Sequence, residues 1–371
     1  MVSTGDLPLK RERGASSTVT MRDVATASGF SSATVSIVLN NAPLARYIAP
    51  TTKKRIEDAA KKLGYRPNAM ARFLRSKRSH SIGVIFFDIT DPYCTPILRG
   101  IENSLYQSSY VPIFADAHNQ KNRFERYLEM LLEHHVEALI VVANWLFVDI
   151  HLLADVSKRN IPAATICWEL EGDTVSSVMV DNEMGGRLAL EHLHQLGHRK
   201  IAYIRGPKML IDSMPRWKGI QKFAQSVKLE IDPSLVTQLT DSFDANSGFE
   251  GGYRFTEELL AKKKRFTALL AFDDLTALGA IRALTKAGIK VPEQCSVIGF
   301  DDVPLSALSA PSLTTIRQPL EAMGGLAVQM VMDSINAGLE KRDWTSSRQR
   351  MTPELVIRDS TRAVSQTSSD D

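Results

Sequence analysis

Between Thr20 and Asn41 the chain reads TMRDVATASGFSSATVSIVLNN, and few folds accept that order of residues. Thr20 and Asp23 stand at the spacing of a capping box, which opens a helix at Met21. Val24 and Ala25 give that helix an apolar face. Gly29 supplies the backbone freedom for a tight turn, and Phe30 closes it with an apolar plug. Ser31 is a good N-cap for a second helix, on which Val35, Val38 and Leu39 share one face at i, i+3 and i+4. Ser32, Ala33, Ser36 and Ile37 are left on the outer side. Two short helices about a Gly-containing turn form a helix-turn-helix, whose second helix enters a DNA major groove by its N-terminal residues. An ordinary helical hairpin in a core has the same pattern, so this stretch alone leaves both readings open.

Charge weighs on that choice. Residues 1–80 hold 15 Lys and Arg against 5 Asp and Glu, a net of +10, while the remaining residues hold 30 against 37, a net of −7. A basic head on a mildly acidic body points to a polyanionic partner at the head. Lys10 to Arg13 fit a solvated tail. Lys53, Arg55, Lys61 and Arg72 fall within helical patterns and are expected near phosphates, where they add salt-dependent affinity without sequence information. Pro50 suits the first position of a third helix running to about Leu63. The chain between the second and third helices, NNAPLARYIAPTT, either reaches the DNA backbone through Arg46 or is a surface excursion.

From Ser81 the pattern changes. SIGVIFFDI, VPIFADA, ALIVVA and AATICW are apolar runs of strand length separated by amphipathic helical stretches, and a second such set begins near Val178. Apolar strands alternating with helices indicate parallel sheets covered on both faces. Two sets in tandem give two Rossmann-like lobes, with a ligand cleft at the carboxyl ends of their strands. No stretch is long and apolar enough to span a membrane, and no early run reads as a secretory signal. Cys94, Cys167 and Cys295 are odd in number and widely spaced, and read as buried reduced thiols of a cytosolic protein.

Three stretches in this order, VATASGFSSATVSIVLNN (Val24 to Asn41), LGYRPNAMARFL (Leu63 to Leu74) and VIGFDD (Val297 to Asp302), strongly resemble the lactose-repressor (LacI/GalR) family of bacterial transcription regulators. The resemblance runs from Thr20 to about Asp359. It implies an N-terminal all-α helix-turn-helix headpiece joined to an α/β periplasmic-binding-protein-like body of two Rossmann-like lobes. The boundaries it implies are a disordered leader (1–19), the headpiece (20–66), a hinge helix and linker (67–79), the body (80–359) and a disordered tail (360–371). Within the body, lobe 1 takes about 80–181 and 312–341, and lobe 2 about 182–311 and 342–359, so the chain crosses near Asp181, near Ser312 and within 342–352. The resemblance further implies a cytoplasmic bacterial homodimer on double-stranded operator DNA, nucleoid-associated when bound. A small-molecule effector, a sugar or sugar derivative, controls it, without cofactor or metal. The end, SQTSSDD, carries no leucine heptads and favours a dimer.

For DNA contact the resemblance implies Thr20, Ser31, Ser32, Ala33, Thr34, Ser36, Ile37, Asn40 and Tyr65 in the headpiece, with Asn68, Ala71 and Leu74 in the hinge. Leu74 matches a leucine wedge that family members lever into the central minor groove; inserting an apolar side chain between base steps bends the duplex. A passive linker whose Leu74 packs on the body is the other reading. Ile37 departs from the family, which commonly places a polar or basic residue there. Ile37 can only pack on a thymine methyl or exclude water, so operator choice shifts toward Ser36, backbone contacts and DNA shape.

For the effector the resemblance implies Tyr93, Trp168, Arg216, Phe243 and Asp274. The three aromatic residues suit the apolar face of a sugar or ring. Arg216 suits a hydroxyl pair or a carboxylate, and Asp274 accepts hydrogen bonds from hydroxyls or amines. Asp273 takes a place that is often asparagine. Leu210 stands where the purine-binding branch needs an arginine, which counts against a purine-like ligand. No catalytic or nucleotide-binding motif is present. The Asp273–Asp274 and Asp301–Asp302 pairs read as caps and turn residues, so the chain is expected not to be an enzyme.

Overall fold

The computed structural model describes residues 19–40, 42–66, 78–108, 110–143, 156, 161–168, 175–240 and 247–364. Asn68, Ala71, Leu74 and Phe243, and with them the expected hinge, lie outside the described residues. Contacts divide the chain into two units, Met1–Ser79 and His80–Asp371.

In the first unit, helices α1 (Met21–Ser28), α2 (Ser32–Leu39) and α3 (Pro50–Leu63) pack around Val24, Val35 and Ile56, all three with no exposed surface. Each such side chain contributes roughly 1.5–3 kcal/mol by leaving water. Thr20 opens α1 by donating its backbone N–H (2.7 Å) and hydroxyl (2.8 Å) to Asp23 Oδ2. These two bonds hold the Asp23 carboxyl below its usual range. Gly29 ends α1 at φ 77°, a left-handed conformation that a side chain would resist. The expected excursion before α3 is an ordered 3-10 turn over Pro43–Tyr47. Its Ala45 is buried, and Arg46 lies over the Tyr47 ring at 4.7 Å.

The second unit holds two six-stranded sheets. Strands β1 (Ser81–Phe86), β2 (Val111–Asp116), β3 (Ala138–Val142), β4 (Ala163–Ile166) and β5 (Ser176–Val180) form the first, with β11 (Arg348–Met351) parallel at its β5 edge. Strands β6 (Ile201–Arg205), β7 (Val236–Gln238), β8 (Ala268–Ala271), β9 (Ser296–Asp301) and β10 (Thr314–Arg317) form the second, with β12 (Glu354–Val356) antiparallel to β10. The spatial orders β2-β1-β3-β4-β5 and β7-β6-β8-β9-β10 repeat one topology, with its switch point beside the first strand of each set. β1 and β3 are buried at every position, as strands covered on both faces must be.

Helices intervene. Those used below are α4 (Cys94–Tyr106), α6 (Asn182–Gln195), α7 (Ser213–Ser226), α9 (Asp274–Lys286) and α11 (Leu320–Glu340); the remainder are α5 (Lys121–Glu133), α8 (Ser247–Ala261) and α10 (Pro304–Leu308). α11 places Leu320, Met323, Val328 and Val331 in the core of the first sheet.

Three boundaries differ from the sequence reading. β10 pairs with β9, so the second crossing between lobes lies at Gln318–Pro319 and not near Ser312. β11 pairs with β5, so 342–351 belongs to lobe 1 and not to lobe 2, and the third crossing, after Met351, falls within the expected 342–352. Residues 360–364, expected in the tail, are part of lobe 2. Ser360 is fully buried, donating to Val297 O (2.6 Å) and accepting from Thr314 N (2.8 Å), and Val364 N donates to Leu196 O (2.9 Å). Backbone pairing decides these positions, and it leaves no trace in hydrophobic periodicity. Among the described residues, no helix is long and apolar enough to cross a membrane.

Candidate functional site

The head's outer surface is built from local bonds. Ser31 caps α2 by accepting from Thr34 N (3.1 Å), and the two hydroxyls lie 2.9 Å apart. At the other end of α2, Asn40 Nδ2 donates to Ser36 O (2.7 Å) and Ser36 Oγ (3.2 Å). Thr20 is tied to Asp23, Tyr65 packs against the head core, and Ile37 is half-buried. Ser32 and Ala33 are exposed on the first turn of α2, and the Ser32 hydroxyl has no partner among the described residues. Of the nine described candidates for DNA contact, these two are the ones the local bonding leaves open to a base edge. Arg22, Lys54, Lys61 and Lys62 are exposed on the same three-helix unit, while Arg55 lies over the Phe30 ring at 5.4 Å and braces the turn.

In the body, strand ends of both lobes line one cavity that is open to solvent. Asp91 and Tyr93 reach it from the loop after β1; Leu210, Asp212 and Arg216 from the approach to α7; Phe272, Asp273 and Asp274 from the end of β8; Asp301 from the end of β9; Gln318 from the second crossing. Three of the expected effector residues, Tyr93, Arg216 and Asp274, therefore line one cavity. Trp168 does not join them. It packs behind the wall of lobe 1 with Phe124, Leu128 and Val175, because the chain turns at Cys167 with φ 70°.

Arg216 is placed by a helix crossing. A Cβ at Gly186 would stand 2.1 Å from Arg216 O, and one at Gly219 would stand 1.9 Å from Glu183 O, so α6 and α7 touch backbone to backbone. That contact sets Arg216 against Asn182 on the first turn of α6. Arg216 Nε (3.2 Å) and Nη2 (2.9 Å) donate to Asn182 Oδ1, and Nη1 donates to Phe272 O (2.5 Å). The guanidinium carbon lies 3.5 Å from the Phe300 ring centroid and 4.5 Å from that of Phe272. The expected free fork is thus corrected: the guanidinium is largely a strut that holds β8, α6 and α7 together around the cavity.

Asp274 is corrected in the same way. It is 1% exposed and accepts from Val303 N (3.0 Å), Ser306 Oγ (2.6 Å) and Thr315 Oγ1 (2.5 Å). These bonds join α9 to the segments after β9 and within β10. Burial pushes its carboxyl up to about 7. Asp273 caps α9 through Thr276 N (2.7 Å) while facing the cavity.

The residues that sequence reasoning missed are Asp91, Asp212, Asp301, Asn182 and Gln318. Asp301 was readable only as part of a pair expected to cap. In the structure the two members part company. Asp301, at φ 114°, faces the cavity and accepts from Gln318 Nε2 (2.6 Å). Asp302, at φ 58°, turns away to Arg317 Nε (2.6 Å) and Arg358 Nη2 (2.5 Å). Two consecutive non-glycine residues at positive φ are uncommon, and such conformations concentrate where function constrains the backbone. Burial raises the carboxyls of Asp212, Asp273 and Asp301 as well. For Asp91 burial comes first, with Asp273 and Asp88 adding, and its carboxyl is raised to about 7. The Tyr93 hydroxyl pairs with Cys167 Sγ at 2.7 Å, and burial raises its ionisation well above the usual phenol range.

Comparison with known proteins addresses both sites. A family model described as bacterial regulatory proteins, lacI family, matches residues 20–68, and one described as a periplasmic binding protein-like domain matches 190–361. The HTH-type transcriptional repressor PurR of Haemophilus influenzae (strain PittEE) is 34% identical over 351 residues, covering 93% of this chain and 99% of the relative. PurR of Aliivibrio fischeri (strain ES114) is 31% identical over 343 residues, covering 92% and 98%. Among solved structures, the Lac repressor dimer bound to operator and the anti-inducer ONPF is 28% identical with a TM-score of 0.77, over 93% of this chain and 99% of that one. The CelR–cellobiose complex is 25% identical with a TM-score of 0.67, over 92% and 99%.

Proposed function

Since this chain belongs to the lacI family of bacterial regulatory proteins, as a ligand-responsive, DNA-binding transcriptional repressor and not an enzyme, we propose how its two sites divide the work. The head reads a pseudo-palindromic operator as one half of a homodimer. The first turn of α2 enters the major groove, with Ser32 and Ala33 at the base edges and the head's exposed cations on phosphates. A sugar or sugar derivative occupies the cavity, touching Asp91 and Tyr93 of lobe 1 together with Asp301 of lobe 2. Binding across the cleft favours one relation of the lobes, alters the pairing of first lobes in the dimer, and so alters DNA affinity. The residues from Asn68 to Leu74 couple the two, Leu74 acting as a wedge in the operator centre.

The observation that carries this reading is the exposed, unpartnered first turn of α2 on a basic three-helix unit, in one chain with a two-lobed body that closes on a polar cavity. The test is enrichment of DNA from a random-sequence pool by the full-length protein at near-physiological salt, with and without sugars. A two-fold symmetric site with a flexible central step is expected. Enrichment of nothing under either condition, or of a site without symmetry, would count against the dimeric reading.

A further inference from the structure

Resting on the assignment of the cavity as the effector site, we infer that the effector carries a protonated amine, as an amino sugar does. Besides Asp274, whose oxygens are bonded within lobe 2, four carboxylates face the cavity: Asp91, Asp212, Asp273 and Asp301. In each, the protein holds one oxygen. Tyr93 N donates to Asp91 Oδ1 (2.9 Å), Asn182 Nδ2 to Asp212 Oδ1 (2.7 Å), Thr276 N to Asp273 Oδ1 (2.7 Å) and Gln318 Nε2 to Asp301 Oδ1 (2.6 Å). No hydrogen bond or ion pair from the described residues reaches the second oxygen of any of them. Arg216 is the one cation among the described lining residues, and Asn182 and Phe272 hold three of its N–H groups. With these carboxyls ionised, the wall is rich in acceptors and short of donors.

Gln318 points to a ligand independently of that charge. Its side chain is 4% exposed, it lines the same cavity, and its Oε1 has no hydrogen-bond partner among the described residues. A buried amide oxygen without a donor is a costly state that a bound N–H or O–H relieves. Gln318 also sits on the second crossing between the lobes, so a donor placed there bears directly on their relation.

Neutral hydroxyls would supply donors but leave several partly buried carboxylates around one cavity without a counter-charge, where like charges are costly. An ammonium group supplies three donors and offsets the charge. A divalent cation needs oxygens that converge. Among the described residues the one group of three possible metal ligands with ligand atoms within 4.8 Å of each other is Asp88, Asp116 and His118, a different grouping. The cavity carboxylates are instead spread around the wall, which suits an extended organic ligand carrying its charge at one end.

The test is titration calorimetry of the full-length protein at neutral pH with matched probes. These are glucosamine against glucose, galactosamine against galactose, N-acetylglucosamine as the same skeleton without the charge, and putrescine and spermidine as amines without a sugar. At least one amino sugar is expected to bind about tenfold or more tightly than its neutral partners. In Asp273→Asn, which keeps an N-capping side chain on α9, that preference is expected to shrink; an undiminished preference would overturn the charge argument. Equal or tighter binding of the neutral sugars overturns the amine and leaves the sugar reading standing. Binding of putrescine or spermidine with no binding of any sugar keeps the amine and removes the sugar. Silence across all the probes overturns both.

Discussion

The head and the cleft solve recognition in opposite ways. The head presents small neutral side chains on a cationic scaffold, and the hydrogen bonds described on its reading face join near neighbours: Thr20 to Asp23, Ser31 to Thr34, Ser36 to Asn40. The cleft presents carboxylates in one cavity, and its bonds join residues far apart in sequence: Asn182 to Asp212, Arg216 to Phe272, Asp274 to Thr315. A partner already densely charged, such as duplex DNA, is held by exposed cations and sorted by contacts that cost little to arrange. A small molecule has too little surface for that, so the fold itself must hold each group in place. In the cleft, then, the groups that shape the site are also the groups that hold the lobe together, whereas at the tip of α2 they are separable.

The sharpest way to break this contrast is Gly186→Leu. Any Cβ there meets Arg216 O at 2.1 Å, so α6 and α7 must separate and Arg216 must leave Asn182. The body is expected to lose about 3 kcal/mol or more, since overpacking against backbone cannot be relieved by a rotamer change. Chemical denaturation followed by fluorescence of the body, beside circular dichroism of the helical head, would measure it. A head transition that moves equally would end the separation of the two regions. Asp274→Ala comes next, at roughly 2–4 kcal/mol. It leaves Val303 N and the hydroxyls of Ser306 and Thr315 without their acceptor, although the hydroxyls can rotate toward other partners. A Tm unchanged in this variant would return Asp274 to the role of a free ligand group.

The same contrast explains what could be read from sequence. The starts of the two helices and the turn between them were legible because caps, the turn glycine and the apolar spacing are all local. The alternation of β and α in the body was legible for the same reason, since each strand is a contiguous apolar run. Where the chain changes lobes was not, because β10 and β11 are assigned by pairing partners more than 10 residues away, and hydropathy is silent on pairing. In the cleft, Tyr93 and Arg216 reached the cavity, but Asp301 and Gln318 went unseen. Their roles come from positive φ at the end of β9 and from a crossing misplaced by six residues, neither of which has a spacing signature. Trp168 failed for a simpler reason: the end of a strand fixes where a residue sits, while the backbone turn at Cys167 fixes which way it faces.

Smaller effects separate the regions more finely. Ser31→Ala removes the acceptor for Thr34 N and is expected to lower head stability by about 1 kcal/mol, with body unfolding unmoved. Asp273→Asn is expected to change stability by less than that, and in a pH-dependent direction. Burial raises the Asp273 carboxyl above its unfolded value. Such a group favours the fold fully below the unfolded pKa and loses that contribution as pH rises through the folded one. Asn does not titrate, so the variant is expected to gain on the parent protein as pH rises above the usual carboxylate range. Parallel melting curves in acidic and neutral buffer would show the two diverging; curves that stay parallel would mean that Asp273 is relieved of its charge by some other route.

The smallest effect on stability is expected at Ser32, and it bears most directly on what the head does. The side chain is exposed, follows the capping residue, and has no hydrogen-bond partner among the described residues, so Ser32→Ala should leave the unfolding midpoint within about 0.5 kcal/mol of the parent protein. Its effect should be confined to which bases are preferred under the first turn of α2. A serine hydroxyl both donates and accepts and so tolerates more than one base edge, whereas a methyl group favours thymine. Sites enriched from a random pool by the two proteins should therefore share their half-site spacing and differ at one symmetric position in each half. Lost spacing would mean that Ser32 helps to dock the helix and not only to read. An unchanged site would place the reading on Ala33, Ile37 and the shape of the groove. In the first case the head would resemble the cleft, with support and recognition in one group; in the second, the contrast would be sharper than the bonding alone shows.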